Sequence, residues 1–453
     1  MIKILIGLLV LSVMVFIHEL GHFIVAKLCG VAVQSFSIGW GPVLLKKAFR
    51  GTEYRLSLVP IGGYCGMKGE NAFRKALEDK LNYIPKEEGG LYSATPIRRI
   101  LIAFAGPFAN YLCAVVCFAI ISGMGSTYYT SSNMVAPLHC YDEKALTSSK
   151  EADLKVGDVI LEIDGKKINT FYDIMQSVIV QADKHMHFII ERDGKRLEKE
   201  ITPKLDTKTG AGVIGVYPFI PLNIYYVTPN GVAYSAGLLK GDVIKKINGK
   251  NVFNTIDLNE ELKEISKSNK EALKLSFERD GKLLNAQLYI VRLENGSIDL
   301  GLSFERQKVV VEGKGLFKSI VLGFRKTHET VMLTFKGFAL LFKGVDLKQA
   351  VSGPLRITHM IGETAQEGFK VSAKEGWRGL LYFISIISIS LFIMNLLPIP
   401  VLDGGLILLS FIEAIIHREL HPKLTYRVQF IGFAFIALLF CFALFADIMF
   451  LVG

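Results

Sequence analysis

The chain has 453 residues, of which 51% are hydrophobic and 21% are charged, and its formal net charge is +10. A mean hydropathy of +0.37 is high for a soluble protein with so many charges, which indicates apolar spans alternating with water-soluble segments. The basic residues lie beside the apolar runs and form no basic stripe with interleaved aromatics, so a nucleic acid is not an expected partner.

Four stretches are long and apolar enough to cross a membrane. The first could be a signal peptide, but no small-residue cleavage site follows it, so we expect a retained helix. Lysines and arginines gather in residues 29–99 and between the last two spans, which by the positive-inside rule makes both connections cytoplasmic. The N-terminus and the long central segment are then extracytoplasmic, and the chain crosses the bilayer of the inner (plasma) membrane. The predicted spans are Ile4–Leu28, Ile100–Met124, Leu380–Leu397 and Val428–Leu451.

The first span contains the sequence His18-Glu19-Leu20-Gly21-His22. Two histidines four residues apart lie on one helix face, about one turn from each other, so both imidazoles can bind one cation. Glu19 can then take a proton from water on that cation. The alternative is a pair of hydrogen-bonded core histidines, but it leaves Glu19 as an unpaired charge in a membrane-length helix. The pattern therefore favours a metal site with Glu19 as the catalytic base.

A catalytic zinc site needs a third protein ligand, and the end of the third span supplies a candidate. Pro398 and Pro400 interrupt the helix, which a membrane tolerates only where protein or a wet cavity surrounds the backbone. Asp403 follows at an expected helix start. It comes after about 27 Å of its span and His18 after about 21 Å of the first, both counted from the outside. We therefore predict that Asp403 is the third ligand; a buried helix cap is the alternative.

Residues 52–59 alternate like a β-strand and lead into Pro60, Gly62 and Gly63. They follow a turn-rich, moderately apolar corner at 37–42. A hairpin that dips towards the active site and an ordinary cytoplasmic hairpin both fit this pattern. Residues 68–90 are charged and are expected to form a mobile surface segment.

The central segment holds an internal repeat. Residues 154–166 (LKVGDVILEIDGK) recur at 238–250 (LLKGDVIKKINGK), and each copy leads through a helix-like stretch to strands that end in Arg-Asp-Gly. This resembles the circularly permuted bacterial PDZ domain. The resemblance implies two α+β domains, at 130–210 and 211–305, that add an extended peptide to a sheet edge. Asp153 replaces the glycine usual in the family, so a spacer or a lid is the alternative for the first copy.

Residues 315–344 place apolar side chains at helical spacing, with basic residues among them. A basic amphipathic helix on the bilayer surface is predicted there, and a core helix of a soluble subdomain is the alternative. The expected fold is a multi-pass α-helical membrane protein with four transmembrane helices and two extracytoplasmic PDZ-like domains. Its remaining parts are residues 1–129, 306–376 and 377–453.

These motifs together resemble the site-2 protease family of intramembrane zinc metalloproteases, and within it the bacterial regulator-of-sigma-E protease group. Besides His-Glu-x-x-His, the chain has Asn-x-x-Pro-x-Pro-x-x-Asp-Gly at 395–404 and Gly-Pro-Phe-Ala-Asn at 106–110. Gly-Trp-Gly-Pro at 39–42 and Ser-Gly-Pro at 352–354 also match. The likeness covers nearly the whole chain, and the combination is far more specific than any one motif.

The resemblance implies Zn²⁺ bound by three side chains with one catalytic base beside it. It also implies that residues 52–66 form a re-entrant β-hairpin in the membrane. The residues that it places at the site are His18, His22 and Asp403 as ligands, Glu19 as base, and Asn395 as a side chain that holds the substrate strand.

The implied reaction is hydrolysis of a peptide bond within the transmembrane segment of a single-span protein, such as an anti-sigma factor or a remnant signal peptide. Such a helix must unwind before it is cut, and pairing with the strand that carries Tyr54, Leu56 and Leu58 would offset the lost hydrogen bonds. The PDZ domains would favour substrates already trimmed by another protease, and the oligomeric state is left open. A membrane-anchored PDZ scaffold without proteolytic activity is the alternative. A transporter would require a repeat among the membrane helices, which the chain lacks.

Overall fold

The computed structural model describes residues 2–142, 145, 147–207, 210–268, 270–293, 297–341 and 353–452. They form two compact units. The first, here called the helical unit, contains the described residues of 1–126, 312–339 and 347–453. The second, the sheet unit, contains those of 127–311 and 340–346.

Long apolar helices dominate the helical unit. Within the described residues, the helices long and apolar enough to span a membrane are four, at 5–28, 96–124, 373–396 and 422–447, as predicted. The last three begin ahead of their apolar runs, because Pro96 and Pro422 stand at first helical positions and Ser372 caps the third helix. The helices of this unit are α1 (Ile2–Leu28), α2 (Glu70–Glu78), α3 (Pro96–Met124), α8 (Leu316–Leu341), α9 (Pro354–Val371), α10 (Ala373–Leu396), α11 (Asp403–Ile416) and α12 (Pro422–Val452).

The loop after α1 folds into two long bent strands, β1 (Val33–Phe49) and β2 (Thr52–Met67). Residues 43–49 and 52–57 form a hairpin around a tight turn at Arg50-Gly51, where both φ angles are positive. Residues 35–38 pair with 53–56 on one side and with 63–66 on the other. The predicted strand therefore lies inside a larger sheet, whose edges are 43–49 and 63–67.

The charged segment 68–90 lies mostly at the surface, as expected, but it also contains helix α2, which packs against its neighbours. Helix α2 buries Ala72 and Ala76, which lie one turn apart and pack with Ile84. Phe73 stacks on Tyr92 with 5.4 Å between ring centroids. Alanines at this spacing let a helix with four charged residues in nine pack closely. The overall composition of the segment does not reveal this spacing.

Helix α8 is the helix predicted at 315–344, and residues 342–352 of its region lie outside the described residues. Gly323 packs against Val115 and Ala119 of α3, and Ser319 lies beside Gly123. Contacts thus progress along the two helices in opposite directions, so α8 packs lengthwise on α3. This differs from the predicted helix lying flat on a bilayer. The buried stripe of α8 recurs every four residues: Ser319, Gly323, Thr327 and Val331.

Asp447 of α12 holds the start of α9. Its carboxylate accepts hydrogen bonds from the backbone N–H of Gly353, at 2.8 Å, and of Arg356, at 3.3 Å. A side chain at Gly353 would overlap this carboxylate, which explains the glycine of the Ser-Gly-Pro motif. The last apolar helix is therefore fixed to α9 by a buried cap.

The sheet unit contains the repeat as two similar subdomains, each with a four-stranded antiparallel sheet and a helix. The sheet orders, β6-β5-β7-β8 and β14-β13-β15-β16, are equivalent. The first subdomain comprises β4 (Val135–Pro137), α4 (Ser148–Glu151), β5 (Val159–Ile163), β6 (Lys166–Lys167), α5 (Phe171–Val178), β7 (Met186–Arg192), β8 (Lys195–Ile201), β9 (Lys204–Leu205), β10 (Gly212–Val213) and β11 (Val216–Pro218). The second comprises β12 (Ile224–Val227), α6 (Val232–Ser235), β13 (Val243–Ile247), β14 (Lys250–Asn251), α7 (Thr255–Ser266), β15 (Ala272–Arg279), β16 (Lys282–Tyr289) and β17 (Leu302–Phe304).

The predicted boundary at 210 is too early. Strand β11 returns to pair with β4, so the first subdomain continues to Pro218. Two further strands, β3 (Ser126–Thr130) and β18 (Gln307–Val311), pair with each other. In the sequence, β3 precedes the first subdomain and β18 follows the second.

A buried ion pair joins the two repeated motifs in each subdomain. The aspartate of Gly-Asp is Asp158 in the first copy and Asp242 in the second, and each side chain is 1% exposed. Its Oδ1 accepts a hydrogen bond from the arginine of Arg-Asp-Gly, at 2.7 Å from Arg192 and 2.6 Å from Arg279. These bonds raise the pKa of both arginines, which stay charged. The ion pair therefore fixes the Gly-Asp loop to the sheet.

Asp153 does not disturb the first copy. Its φ is 51°, in the left-handed region that Gly237 occupies with φ 79° in the second copy. Its carbonyl oxygen accepts a bond from Arg192 at 2.6 Å, as that of Gly237 does from Arg279 at 2.8 Å. Aspartate tolerates this conformation better than most residues. The substitution alone gives no reason to treat the first copy as a spacer.

Asp242→Ala is expected to lower the resistance of the second subdomain to urea and protease, because it removes the buried carboxylate that accepts hydrogen bonds from Arg279 and from the backbone N–H of Leu239. Limited proteolysis of the full chain in detergent, followed over a urea series, measures the change. Asp280→Asn is the control, since Asp280 is exposed in the neighbouring turn and asparagine also tolerates its positive φ of 51°. Equal protease resistance of Asp242→Ala and the wild type would show that the ion pair does not stabilise the subdomain.

Candidate metal centre

The two histidines of α1 lie on one helix face, as their spacing predicts. His18 and His22 are buried, and their Nε2 atoms are 3.2 Å apart. The first residue of α11 completes the cluster: Asp403 Oδ2 is 3.2 Å from His18 Nε2, and Oδ1 is 3.3 Å from His22 Nε2. The structure thus brings the three predicted ligands together, and it is the one cluster of metal-ligating side chains found among the described residues.

The break between α10 and α11 places Asp403 beside the two histidines. Residues 397–402 fold back onto the first turn of α11, where a side chain at Gly404 or Gly405 would overlap backbone atoms of residues 396–400. Val401 has a φ of 120°, a strained conformation for a β-branched residue. This packing explains the Asp-Gly-Gly sequence that follows the two prolines.

The spacing of the three ligands suits a small divalent cation. Ligands about 2.0–2.1 Å from a tetrahedral zinc ion lie about 3.3 Å from one another. The two histidine Nε2 atoms are 3.2 Å apart, and each lies within 3.3 Å of one of the two Asp403 oxygens. His22 Nδ1 is 2.8 Å from the carbonyl oxygen of Ile102 and donates to it, so Nε2 carries a lone pair directed at the cluster. Lone pairs and a carboxylate directed at one point repel each other without a cation. The residues therefore fit a zinc ion.

Asn110 of α3 orients the other imidazole. Its side-chain amide is fully buried and lies 3.1 Å from His18 Nδ1. Metal binding through Nε2 requires a proton on Nδ1, so the amide must present its oxygen to that proton. This gives a partner to Oδ1, which is otherwise buried without one. Sequence reasoning gave Asn110 no role, although an amide in an apolar span is itself a functional signal.

Gly106 of α3 lets the helix approach the metal ligands. A Cβ at this position would lie 2.6 Å from Cε1 of His22 and closer still to Nε2. The Gly-Pro-Phe-Ala-Asn motif thus supplies a gap for one histidine and a hydrogen bond for the other.

Gly106→Ala is expected to weaken binding of a divalent metal about tenfold or more, because the added methyl group pushes His22 out of line. Competition of the purified protein with a zinc chelator measures the affinity. Gly123→Ala is the control, since its Cβ would lie 3.5 Å from the nearest side chain, an ordinary contact. Unchanged affinity in Gly106→Ala would mean that His22 does not depend on this close approach.

Glu19 lies beside the ligand cluster and against β2. Its carboxylate accepts a hydrogen bond from the backbone N–H of Cys65. A Cβ on Gly63 would lie 3.6 Å from Glu19 Cγ. The sheet edge at 63–67 therefore lies next to the predicted catalytic base.

The register of the sheet corrects the predicted substrate strand. Tyr54 has Cα partners on both sides, Phe36 and Lys47, and Leu56 likewise has Ile38 and Leu45. A substrate cannot add a strand at a stretch whose two sides are already paired, because no backbone groups are free there. The alternation of one strand cannot reveal how many neighbours it has.

The other two predicted substrate contacts, Leu58 and Asn395, are not fully buried. Leu58 is 56% exposed at the end of the paired stretch. Asn395 lies in the last turn of α10, partly buried, just ahead of the break that leads to Asp403. Both positions stay available for contact with a substrate.

Comparison with known proteins adds independent information. The family model "Peptidase family M50" matches residues 6–439. Two relatives are each named "Putative zinc metalloprotease". The one from Treponema pallidum is 45% identical and covers 100% of both chains, and the one from Borreliella burgdorferi is 31% identical and covers 98% of both.

A third relative is the "Regulator of sigma E protease" of Haemophilus influenzae, 28% identical over 97% of both chains. Among solved structures, the PDZ domain of an SdrC-like protein from Listeria monocytogenes covers 19% of this chain and 88% of its own. Its identity of 17% and TM-score of 0.16 are too low to establish a shared fold. The relatives match the chain over its whole length.

Proposed function

Since the chain belongs to peptidase family M50, the site-2 protease family of membrane zinc metalloproteases, we propose that it hydrolyses a peptide bond within the transmembrane segment of single-span membrane proteins. The observation that carries the proposal is the convergence of His18, His22 and Asp403 beside Glu19, with both histidines and Glu19 on a helix of membrane-spanning length. A half-buried acid next to a three-ligand metal site is the arrangement that metal-dependent peptide hydrolysis uses.

In the proposed reaction, each residue of the site has one task. His18, His22 and Asp403 would hold zinc, which when bound supplies a Lewis acid that activates water and polarises the substrate carbonyl group. Glu19 takes the proton from the attacking water and returns it to the leaving amide nitrogen. The hydrogen bond from the Cys65 N–H orients the Glu19 carboxylate before it takes the proton.

A substrate helix must unwind before it can be cut, which costs its backbone hydrogen bonds. We place the opened segment along the edge at 63–67, because among the described residues this edge pairs with a strand on one side only and lies next to Glu19. New backbone bonds to that edge would offset part of the loss. Asn395 is proposed to hold the other side of the substrate strand, and residues 52–66 to enter the membrane as part of this sheet.

The sheet unit is proposed to select substrates. Its two subdomains share the Gly-Asp-x-Ile motif that resembles bacterial PDZ domains. This favours recognition of a peptide end that another protease has already trimmed. The positive-inside rule favours an inner-membrane protein with this unit and the N-terminus outside the cytoplasm and the active site near the cytoplasmic side. Anti-sigma factors and remnant signal peptides are the substrate types that fit.

The test is cleavage in reconstituted vesicles that contain a single-span substrate, in full-length and trimmed forms. We expect a cut within the transmembrane segment, located by mass spectrometry, that stops when zinc is stripped and returns when zinc is restored. The trimmed form should be cut faster. Purified protein without zinc or without activity would favour the alternative of a membrane-anchored scaffold.

A further inference from the structure

A buried ion pair joins the cytoplasm-facing ends of α3 and α11, on the proposed topology. Arg99 Nη2 lies 2.6 Å from Glu413 Oε2, and the two side chains are 7% and 10% exposed. Glu413 Oε1 also accepts a hydrogen bond from the backbone N–H of Leu420, at 2.8 Å. Neither residue belongs to the metal cluster, and no motif of the sequence singled them out.

The two helices joined by this pair both serve the metal centre. Helix α3 carries the Ile102 carbonyl group that orients His22, and Arg99 stands one turn before it. Helix α11 begins with Asp403 and carries Glu413 about 15 Å further along. The ion pair thus connects the helix that orients the histidines to the helix that supplies the third ligand.

Helix α11 needs such an anchor. It has 14 residues, and the strained break at 397–402 disconnects it from α10. Its rotation and its position along its axis are therefore not inherited from a continuous spanning helix. An apolar contact can slide or rotate, whereas a buried ion pair in contact at 2.6 Å fixes one register.

Stability alone is a weak reason for this pair. A buried ion pair loses so much hydration that apolar residues of similar volume often stabilise a protein as well or better. Burying charges near a membrane therefore suggests a requirement for fixed geometry. The nearby Lys86–Glu419 pair differs, because its bond of 3.1 Å joins side chains that are 68% and 35% exposed.

We propose that Arg99 and Glu413 are positioning residues that hold Asp403 at coordinating distance from His18 and His22. This inference rests on the proposed function, since it concerns the same metal centre. The pair touches neither metal nor substrate. It acts by keeping α11 in register with α3.

The test uses full-length protein in detergent with Arg99→Gln, Glu413→Gln and the double variant. Lys86→Gln is the matched control, because it removes an exposed ion pair from the same region. Zinc affinity is measured by competition with a chelator, folding by Tm, and ligand geometry by the absorption spectrum of the Co²⁺-substituted protein.

We expect each single variant to bind zinc about tenfold more weakly, the size of effect seen when ligand orientation is lost. The double variant should lose no more than the worse single variant, because the two residues act as one unit. Arg99→Lys, which keeps the charge, should regain part of the affinity. Lys86→Gln should match the wild type in zinc affinity and in its cobalt spectrum.

A lowered Tm with wild-type zinc affinity and an unchanged cobalt spectrum would overturn the inference, since the pair would then be purely structural. Should Arg99→Gln fail to fold, Arg99→Lys and Glu413→Asp supply the same comparison through smaller changes in bond geometry. Failure of the proposed function is a separate outcome. In that case the wild type itself would bind no zinc or cut no substrate.

Discussion

Glu19→Gln is expected to lower the rate of peptide-bond cleavage by about 10³-fold or more while zinc stays bound. Glutamine keeps the shape of the side chain but cannot take a proton from water or return it to the leaving nitrogen. The ligands His18, His22 and Asp403 are untouched, so zinc content should not change. Cleavage of a single-span substrate in vesicles, together with metal analysis of the same sample, measures both quantities.

The control is Glu78→Gln, which removes an exposed carboxylate from α2 in the same unit and should leave cleavage unchanged. Cleavage by Glu19→Gln at the wild-type rate would mean that another group transfers the proton. Glu19 would then be a buried carboxylate beside a metal centre without a chemical role. A parallel loss of zinc would point to misfolding, which the Tm of the variant would reveal.

The metal cluster could be predicted because its geometry follows from local rules. Helical periodicity alone puts His18 and His22 on one face. Asp403 required only the rise of a helix, because two spans that run in the same direction bring residues of similar depth together. The four apolar helices followed from length and hydropathy in the same way.

Features that depend on long-range pairing could not be predicted. The alternation at 52–59 indicates a strand but not how many strands pair with it. It therefore could not show that Tyr54 and Leu56 are paired on both sides. The repeat displayed Asp242 and Arg279 in separate motifs without showing that they bond. Arg99 and Glu413 lie in unrelated stretches of the sequence, and only the packing of α3 on α11 makes them a pair.

Asp403→Ala is expected to lower zinc affinity more than about 100-fold and to abolish cleavage, a larger loss than an outer partner of the ligands would cause. Removing the carboxylate takes away both the third ligand and the negative charge that stabilises the dication. Chelator competition and the zinc content of purified protein measure the loss.

Asp447→Ala separates loss of a ligand from loss of a buried aspartate. Asp447 is also buried in the helical unit, but it caps α9 instead of joining the metal cluster. This variant should have a lower Tm and wild-type zinc affinity, whereas Asp403→Ala should lose zinc. Full zinc occupancy in Asp403→Ala would transfer the role of third ligand to another group. Asp403 would then only add a negative charge to the first turn of α11, and the link between the broken third span and the chemistry of the first would be lost.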